Sequence, residues 1–428
     1  MPVIHILIIL HILLAILLWF SSFFTTLHAL MTLVIGLYFS CTDKTSHRAL
    51  ISIFYILGSE LLWRGFKASI FWEYGKYSSI LIMLIFVHRF GLSNLKKKIG
   101  FLIIILLLPS FASLSEFNRQ DIAHAISGPI CLGLAIVIFS NHIISLPQFK
   151  DYCISILMPI VSLLIIVLYS TIQFGAIDID AAYIYEATTA GIGPNQTSNI
   201  LGLGILMCFL LYIVDNHNKY TYLTLGLVLL FQTIVTHSRG GFWNALIAIG
   251  FSISLIVNAR PYRIKFLIGL SIFSGSLYFY IFPKIDEISG GSILSRYMDT
   301  DLSRREMLIA TELNAYRENP IFGIGPGESR KYRINYYENK KHTHTEYSRL
   351  LAEHGLFGIS IILILLNMIY KIFRSNSSLS KGIAISLAIW SLLFMTHSAT
   401  RLAAPCLIFA LSTSQFDFSN KGKNKLKY

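Results

Sequence analysis

Long apolar runs separated by short polar breaks dominate the pattern of this chain. Stretches such as Ile103–Leu108 and Ile361–Leu366 are continuous, without the alternation of a half-buried strand. A bilayer core of about 30 Å needs about 20 apolar residues per helix, and backbone in lipid must satisfy its own hydrogen bonds. The runs therefore predict an all-α polytopic membrane protein with 12–14 spanning helices. The candidate spans are 3–20, 22–40, 49–64, 77–90, 99–114, 126–145, 153–172, 195–214, 220–236, 240–258, 265–282, 348–370, 382–396 and 400–414. The first is followed by no small-residue cleavage site and is expected to be a retained helix rather than a signal peptide.

Composition agrees with the pattern. Of the 428 residues 54% are hydrophobic and 13% charged, about half the charged share of a soluble domain. The five cysteines lie in or beside apolar runs and form neither a disulfide framework nor a zinc pattern. A formal charge of +13 invites a nucleic-acid reading, but membrane proteins collect lysine and arginine in cytoplasmic loops. With the N-terminus inside, cytoplasmic segments hold 18 of the 35 basic residues and the short outside segments six. The other 11 lie between Lys284 and Arg349, in one long outside loop, and long segments translocate largely regardless of charge. Nucleic acid is therefore not an expected partner; the bilayer is. The chain divides into helices over 1–282, an outer loop over 283–347, helices over 348–414 and a basic tail over 415–428.

The outer loop is expected to carry an amphipathic helix at 304–318. Ser303 and Glu306 have capping-box spacing, Met307, Ala310 and Leu313 recur on one face, and Pro320 follows. A glycine-rich turn, Ile321–Gly327, comes next. Its Gly-Ile-Gly-Pro also occurs at 191–194, and the two copies mark turns where backbone approaches something closely.

Four polar elements at the outside ends of spans are the candidate chemistry. Arg239 follows His237 and Ser238 and precedes two glycines; it is either a snorkelling anchor or a phosphate-binding guanidinium. Arg304 and Arg305 open the loop helix, where free backbone N–H groups favour an anion. The third is the segment Lys340–Tyr347. Thr343 and Glu346 make a second capping-box pattern, which puts His344 at the first helical position. A neutral ring there would accept a proton from a sugar hydroxyl; structural and metal-ligand roles are the alternatives for the pair His342 and His344, and the ligand set is short of a metal site. The fourth is His397–Arg401, a hairpin anchor or a further phosphate contact. All four share one side of the membrane in this layout. There is no P-loop or other nucleotide fingerprint, so a donor there would carry its own activation, as a lipid diphosphate sugar does.

The order of these elements resembles the O-antigen ligase and polymerase superfamily. The resemblance rests on Phe322–Gly327, His342-Thr-His344-Thr-Glu346 and Leu351-Ala-Glu353-His-Gly355-Leu-Phe-Gly358, with Thr345 where the family often has asparagine. Ile51–Trp63 looks like an early span of the ligase branch. The resemblance covers roughly 195–410. It implies a membrane glycosyltransferase of the GT-C type, inverting, with no metal or other cofactor, that takes an undecaprenyl-diphosphate-linked glycan in the periplasm of the bacterial inner membrane. A ligase passes the glycan to lipid A–core oligosaccharide; a polymerase passes it to another lipid-linked repeat unit. By motif position Arg239 and Arg305 match the family's functional arginines and His342 and His344 its essential histidine, with His344 the favoured base. Arg304 and Arg401 are further candidates for the diphosphate, and Glu346 and Tyr347 for orienting a catalytic group. A transporter or flippase for lipid-linked glycan is the different-class alternative. Its polar site is expected near the midplane, with internal repeats.

Overall fold

The computed structural model describes residues 2–90, 98–140, 142–173, 184–256, 305–337, 345–374, 378–398 and 400–418, with the single positions 275, 279 and 283. The protein is an all-α polytopic membrane protein. Its first eleven helices are α1 (Val3–Phe20), α2 (Ser22–Thr42), α3 (His47–Gly65), α4 (Tyr74–Phe90), α5 (Lys98–Ile105), α6 (Arg119–Phe139), α7 (Leu146–Gln173), α8 (Ile184–Thr189), α9 (Pro194–Val214), α10 (Lys219–Val235) and α11 (Arg239–Ile256). After α12 (Arg305–Glu318) and α13 (Ser329–Tyr337) come α14 (Glu346–Phe373), α15 (Ser378–Ser398) and α16 (Ala404–Ser412). Among the described residues eight helices are long and apolar enough to cross a membrane. The expected span 265–282 lies outside the described residues except for 275 and 279.

Helix α3 is the centre of the bundle, buried along most of its length and packed on α2, α4 and α7. Close approach uses small residues. A Cβ on Gly58 of α3 would lie 2.5 Å from Ile156 O of α7. By contrast α1 and α2 turn most of their apolar side chains outward, with Val3 73% and Leu13 56% exposed. Such a face is stable only against lipid.

Three expected spans have a different form. The run 99–114 holds the eight-residue helix α5, a turn and a 3-10 segment at Pro109–Ser113. The run 400–414 holds only the nine-residue helix α16, every residue of it buried. At 1.5 Å per residue it covers about 14 Å, roughly half a bilayer core. It is a short helix enclosed by the bundle, and the chain then pairs Gln415–Asp417 (β2) in parallel with Ile143–Ser145 (β1). The run 348–370 is broken in α14 at Gly355, whose φ of 57° and ψ of −131° are not helical. The break separates a short segment, 346–354, from a straight one, 356–373.

The glycine-rich turn explains that break. Leu356 N–H donates to Pro320 O at 2.8 Å, Ile324 N–H to Ala352 O at 2.9 Å and Gly325 N–H to Glu353 O at 3.2 Å. A Cβ on Gly323 would sit 2.4 Å from the Glu353 carbonyl carbon. The 323–327 turn thus approaches backbone closely, as expected. At the 191–194 copy nothing lies within 4 Å of a Cβ on Gly193; that glycine is required by its φ of 107° instead. The loop helix at 305–318 matches the expected 304–318, while Ser303 and Arg304 lie outside the described residues.

Candidate active site: a charged cleft at one end of the bundle

The bundle has two differently furnished ends. At one, β1 and β2 pair, Lys150 meets Asp215 at 2.9 Å and His47 meets Asp151 at 3.0 Å. At the other is a cleft of 610 Å³. The α3–α4 connection contributes Trp72 and Glu73 to it, and the first turns of α6 contribute Gln120, Asp121 and His124. Gln196 of α9, Arg330 and Arg333 of α13, Glu346, Arg349 and Glu353 of α14, and Thr400 and Arg401 are also among the lining residues.

Ion pairs set the shape of this cleft. Arg349 is buried and holds Glu346 through Nη2 and Nε, Glu353 through Nη1 at 2.7 Å, and the Ala125 carbonyl at 2.8 Å. Glu346 also accepts from the Thr400 N–H at 3.2 Å. One guanidinium therefore ties α14 to α6, and through Glu346 to the turn before α16. Arg333 pairs with Glu312 of α12 at 2.6 Å, and the Ser348 hydroxyl donates to the same carboxylate. Glu73 accepts from Lys76 at 2.6 Å and from Ser127 at 3.0 Å, with His124 3.4 Å away. Burial opposes ionisation of Glu73, but Lys76, His124 and Ser127 outweigh it and hold its pKa below the ordinary value.

Arg401 differs from these pairs in its surroundings. Its carbonyl accepts from Arg64 Nη2 at 2.9 Å. Burial, then the like charges of Arg333 and Arg64, push its pKa down to about 10. Arg401 thus lies beside two further guanidiniums, Arg333 and Arg64, each paired with a glutamate.

The sequence-derived candidates fall as follows. Arg239 begins α11. Its neighbour Ser238 donates to Asn195 Oδ1 at 3.0 Å, which puts the start of α11 beside the cleft residue Gln196. The second of the two glycines after it serves packing: a Cβ on Gly241 would lie 1.8 Å from Ser198 O of α9. Arg305 is the first residue of α12. Arg304, His342 and His344 lie outside the described residues, as does Thr343. Helix α14 begins at Glu346 with Thr345 at its N-cap, so Glu346 is not the third residue of a helix capped by Thr343, and the first helical position expected for His344 belongs to Glu346. Glu346 is bound to Arg349 and Thr400 instead. The Tyr347 hydroxyl donates to Leu392 O at 3.0 Å, fastening α14 to α15. Arg401 is in the cleft, as its position at the outside end of a span suggested.

The sequence reading passed over Arg349, Arg333, Glu353, Glu73, Lys76, Glu60 and Arg64. A signal for most of them was present: Glu60/Arg64, Glu73/Lys76 and Glu346/Arg349/Glu353 are spaced i, i+3 or i+4 in or beside apolar runs. Charges so placed near a bilayer face each other on one side of a helix and are expected to be functional or paired.

The buried charges of this helical bundle gather in a cleft at one end. Residues 224–363 match a protein-family model described as O-antigen ligase. The match places this part of the chain, from α10 into the straight segment of α14, in the O-antigen ligase and polymerase superfamily. The protein is thereby a glycosyltransferase-like membrane enzyme. No curated protein matches the sequence. The matched segment includes Arg239, Arg305, Arg333 and Arg349; the cleft residues from α6, the α3–α4 connection and Arg401 lie outside it.

Proposed function

We propose that the protein is an O-antigen ligase that transfers an undecaprenyl-diphosphate-linked glycan to lipid A–core oligosaccharide. Transfer takes place on the periplasmic side of the inner membrane, with inversion at the anomeric carbon and without a metal. The observation that carries this reading is a cleft lined by Arg330, Arg333 and Arg401 in a chain whose residues 224–363 match the O-antigen ligase family. Arg239, Arg305, Arg330 and Arg401 hold the diphosphate. Fixed guanidiniums stabilise the charge that develops as the bond between the anomeric carbon and the diphosphate oxygen breaks. The acceptor hydroxyl oxygen bonds to that carbon, its proton passes to His344, and the lipid diphosphate leaves. General-base assistance of this kind contributes roughly 10²–10⁴-fold. In the sequence His344 is two residues from the cleft residue Glu346, which supports its role as base.

The test is transfer by the purified full-length protein from lipid-diphosphate-linked glycan to lipid A–core. His344→Ala, Arg239→Ala and Arg305→Ala are expected to abolish product while the proteins remain folded, and EDTA to leave the parent active. Full activity of His344→Ala would remove the base. Lipopolysaccharide from a deletion strain separates the two acceptors: loss of all glycan on lipid A marks a ligase, and retention of a single repeat marks a polymerase.

A further inference from the structure

A second pocket, of 220 Å³, opens beside the cleft between the ends of α3 and α4. Trp72 lines both. The walls of this pocket are aromatic, and its charged groups are Glu60, Arg64 and Lys67.

Arg64 is the informative residue. Its side chain is only 3% exposed. Nη2 is occupied, by Glu60 Oε1 at 2.5 Å and by the Arg401 carbonyl. Nε and Nη1 are buried and have no hydrogen-bond partner. Native proteins leave few buried donors unsatisfied, and each such group calls for a physical explanation. Glu60 cannot turn to serve them, because its other oxygen accepts from the Ala403 N–H at 2.7 Å.

The rest of the pocket is held in place around that guanidinium. The Trp72 ring centre is 5.0 Å from Arg64 Cζ. The Trp63 indole N–H donates to His28 Nδ1 at 2.9 Å, and its ring meets Tyr74 edge-on. Lys67 adds a second positive charge at the rim. Buried cationic donors beside rigid aromatic faces suit an anionic group on a sugar: the oxygens take the N–H groups, and the C–H face of the ring lies on the indole.

We propose that this pocket binds a sugar-borne oxyanion, a phosphate or a carboxylate, on the glycan partner of the reaction. Only the origin of that sugar rests on the transferase reading. Binding is read without turnover, so an inactive transferase and a non-binding pocket are distinguishable failures.

The experiment is saturation-transfer NMR on the full-length protein in phosphatidylcholine nanodiscs, with glucose 6-phosphate, glucuronate and glucose as probes. The two anionic sugars are expected to give signal and glucose at least fivefold less. Arg64→Gln is expected to reduce the anionic signal at least fivefold. Arg64→Lys, which keeps the charge beside Glu60 but not the fork, is expected to restore part of it. Trp72→Leu leaves the Arg64–Glu60 pair intact and is expected to lose signal as well, so it decides the matter if Arg64→Gln fails to fold. Equal signal from glucose, or unchanged anionic signal in folded Arg64→Gln or in Trp72→Leu, overturns the proposal. Loss of signal on replacing phosphatidylcholine with phosphatidylglycerol assigns the pocket to a lipid headgroup and overturns the assignment to a sugar.

Discussion

Replacing Gly355 with alanine probes the joint on which the cleft is built. The residue sits at φ 57° and ψ −131°, a region that side chains other than hydrogen enter only under strain. An added Cβ would lie 2.6 Å from Ile321 O and 2.7 Å from Gly323 N, so either the break straightens or the glycine turn withdraws. Withdrawal weakens the bonds from Leu356 N–H, Ile324 N–H and Gly325 N–H, at about 1 kcal/mol each. The strained backbone itself costs about 1–3 kcal/mol. The two terms together amount to about 4–6 kcal/mol, a shift of more than about 100-fold in the unfolding equilibrium. Reversible unfolding in mixed micelles, titrated with a denaturing detergent, measures it. Gly250→Ala is the control. It lies in α11 with nothing within 4 Å of the new Cβ, and is expected to change stability by no more than about 1 kcal/mol, upward. Glycan transfer should fall in Gly355→Ala, because residues 346–354 carry Glu346, Arg349 and Glu353 into the cleft. A Gly355→Ala protein within 1 kcal/mol of the parent would refute the proposed role of the joint.

Arg349→Leu leaves the carboxylates of Glu346 and Glu353 buried without their partner. It is expected to destabilise by about 3–5 kcal/mol in the same unfolding titration, with at least half recovered when both glutamates are also changed to glutamine; no recovery would separate the loss from charge. Glu73 ionises more readily in the folded protein than its ordinary pKa of 4.5. A depressed carboxyl contributes stability that is full above the unfolded pKa and is lost as pH falls through the folded one. Stability measured against pH should therefore drop below about pH 4.5, and Glu73→Gln should flatten that part of the profile; an unchanged profile would dissociate Glu73 from acid sensitivity.

Much of the architecture was legible in the sequence because lipid leaves the backbone few choices. A run of about 20 apolar residues has to be helix, and most described helices through α11 overlap a predicted run, although α6 and α7 begin about seven residues before theirs, 99–114 holds only the eight residues of α5, and α8 lies in no run. The loop helix was also readable, from local capping and periodicity. For the site, the reading that Arg239 and Arg401 lie at one end of the bundle needed only the alternation of spans, and the structure puts Arg401 in the cleft and the start of α11 beside it. The paired charges of α3 and α14 were visible too, as i, i+3 and i, i+4 spacings inside or beside apolar runs. The basic residues were read only as topological charge, and Glu346 as a cap or orienting group rather than as the partner of Arg349.

Contacts between distant segments decided the rest. Glycine in an apolar run is compatible with an unbroken helix, and nothing local marks Gly355 as a break. The break exists because residues 320–325, some thirty positions earlier, bind the backbone on either side of it. Similarly, 400–414 is apolar enough for a span, but only the surrounding bundle buries α16 as a nine-residue helix. The neighbours of a charge follow the same division. The sequence determined that Arg64, Arg333 and Arg401 are cations near one end. Tertiary packing decided that they crowd together, because like charges are brought into one buried place only when the rest of the fold supplies the energy to hold them there.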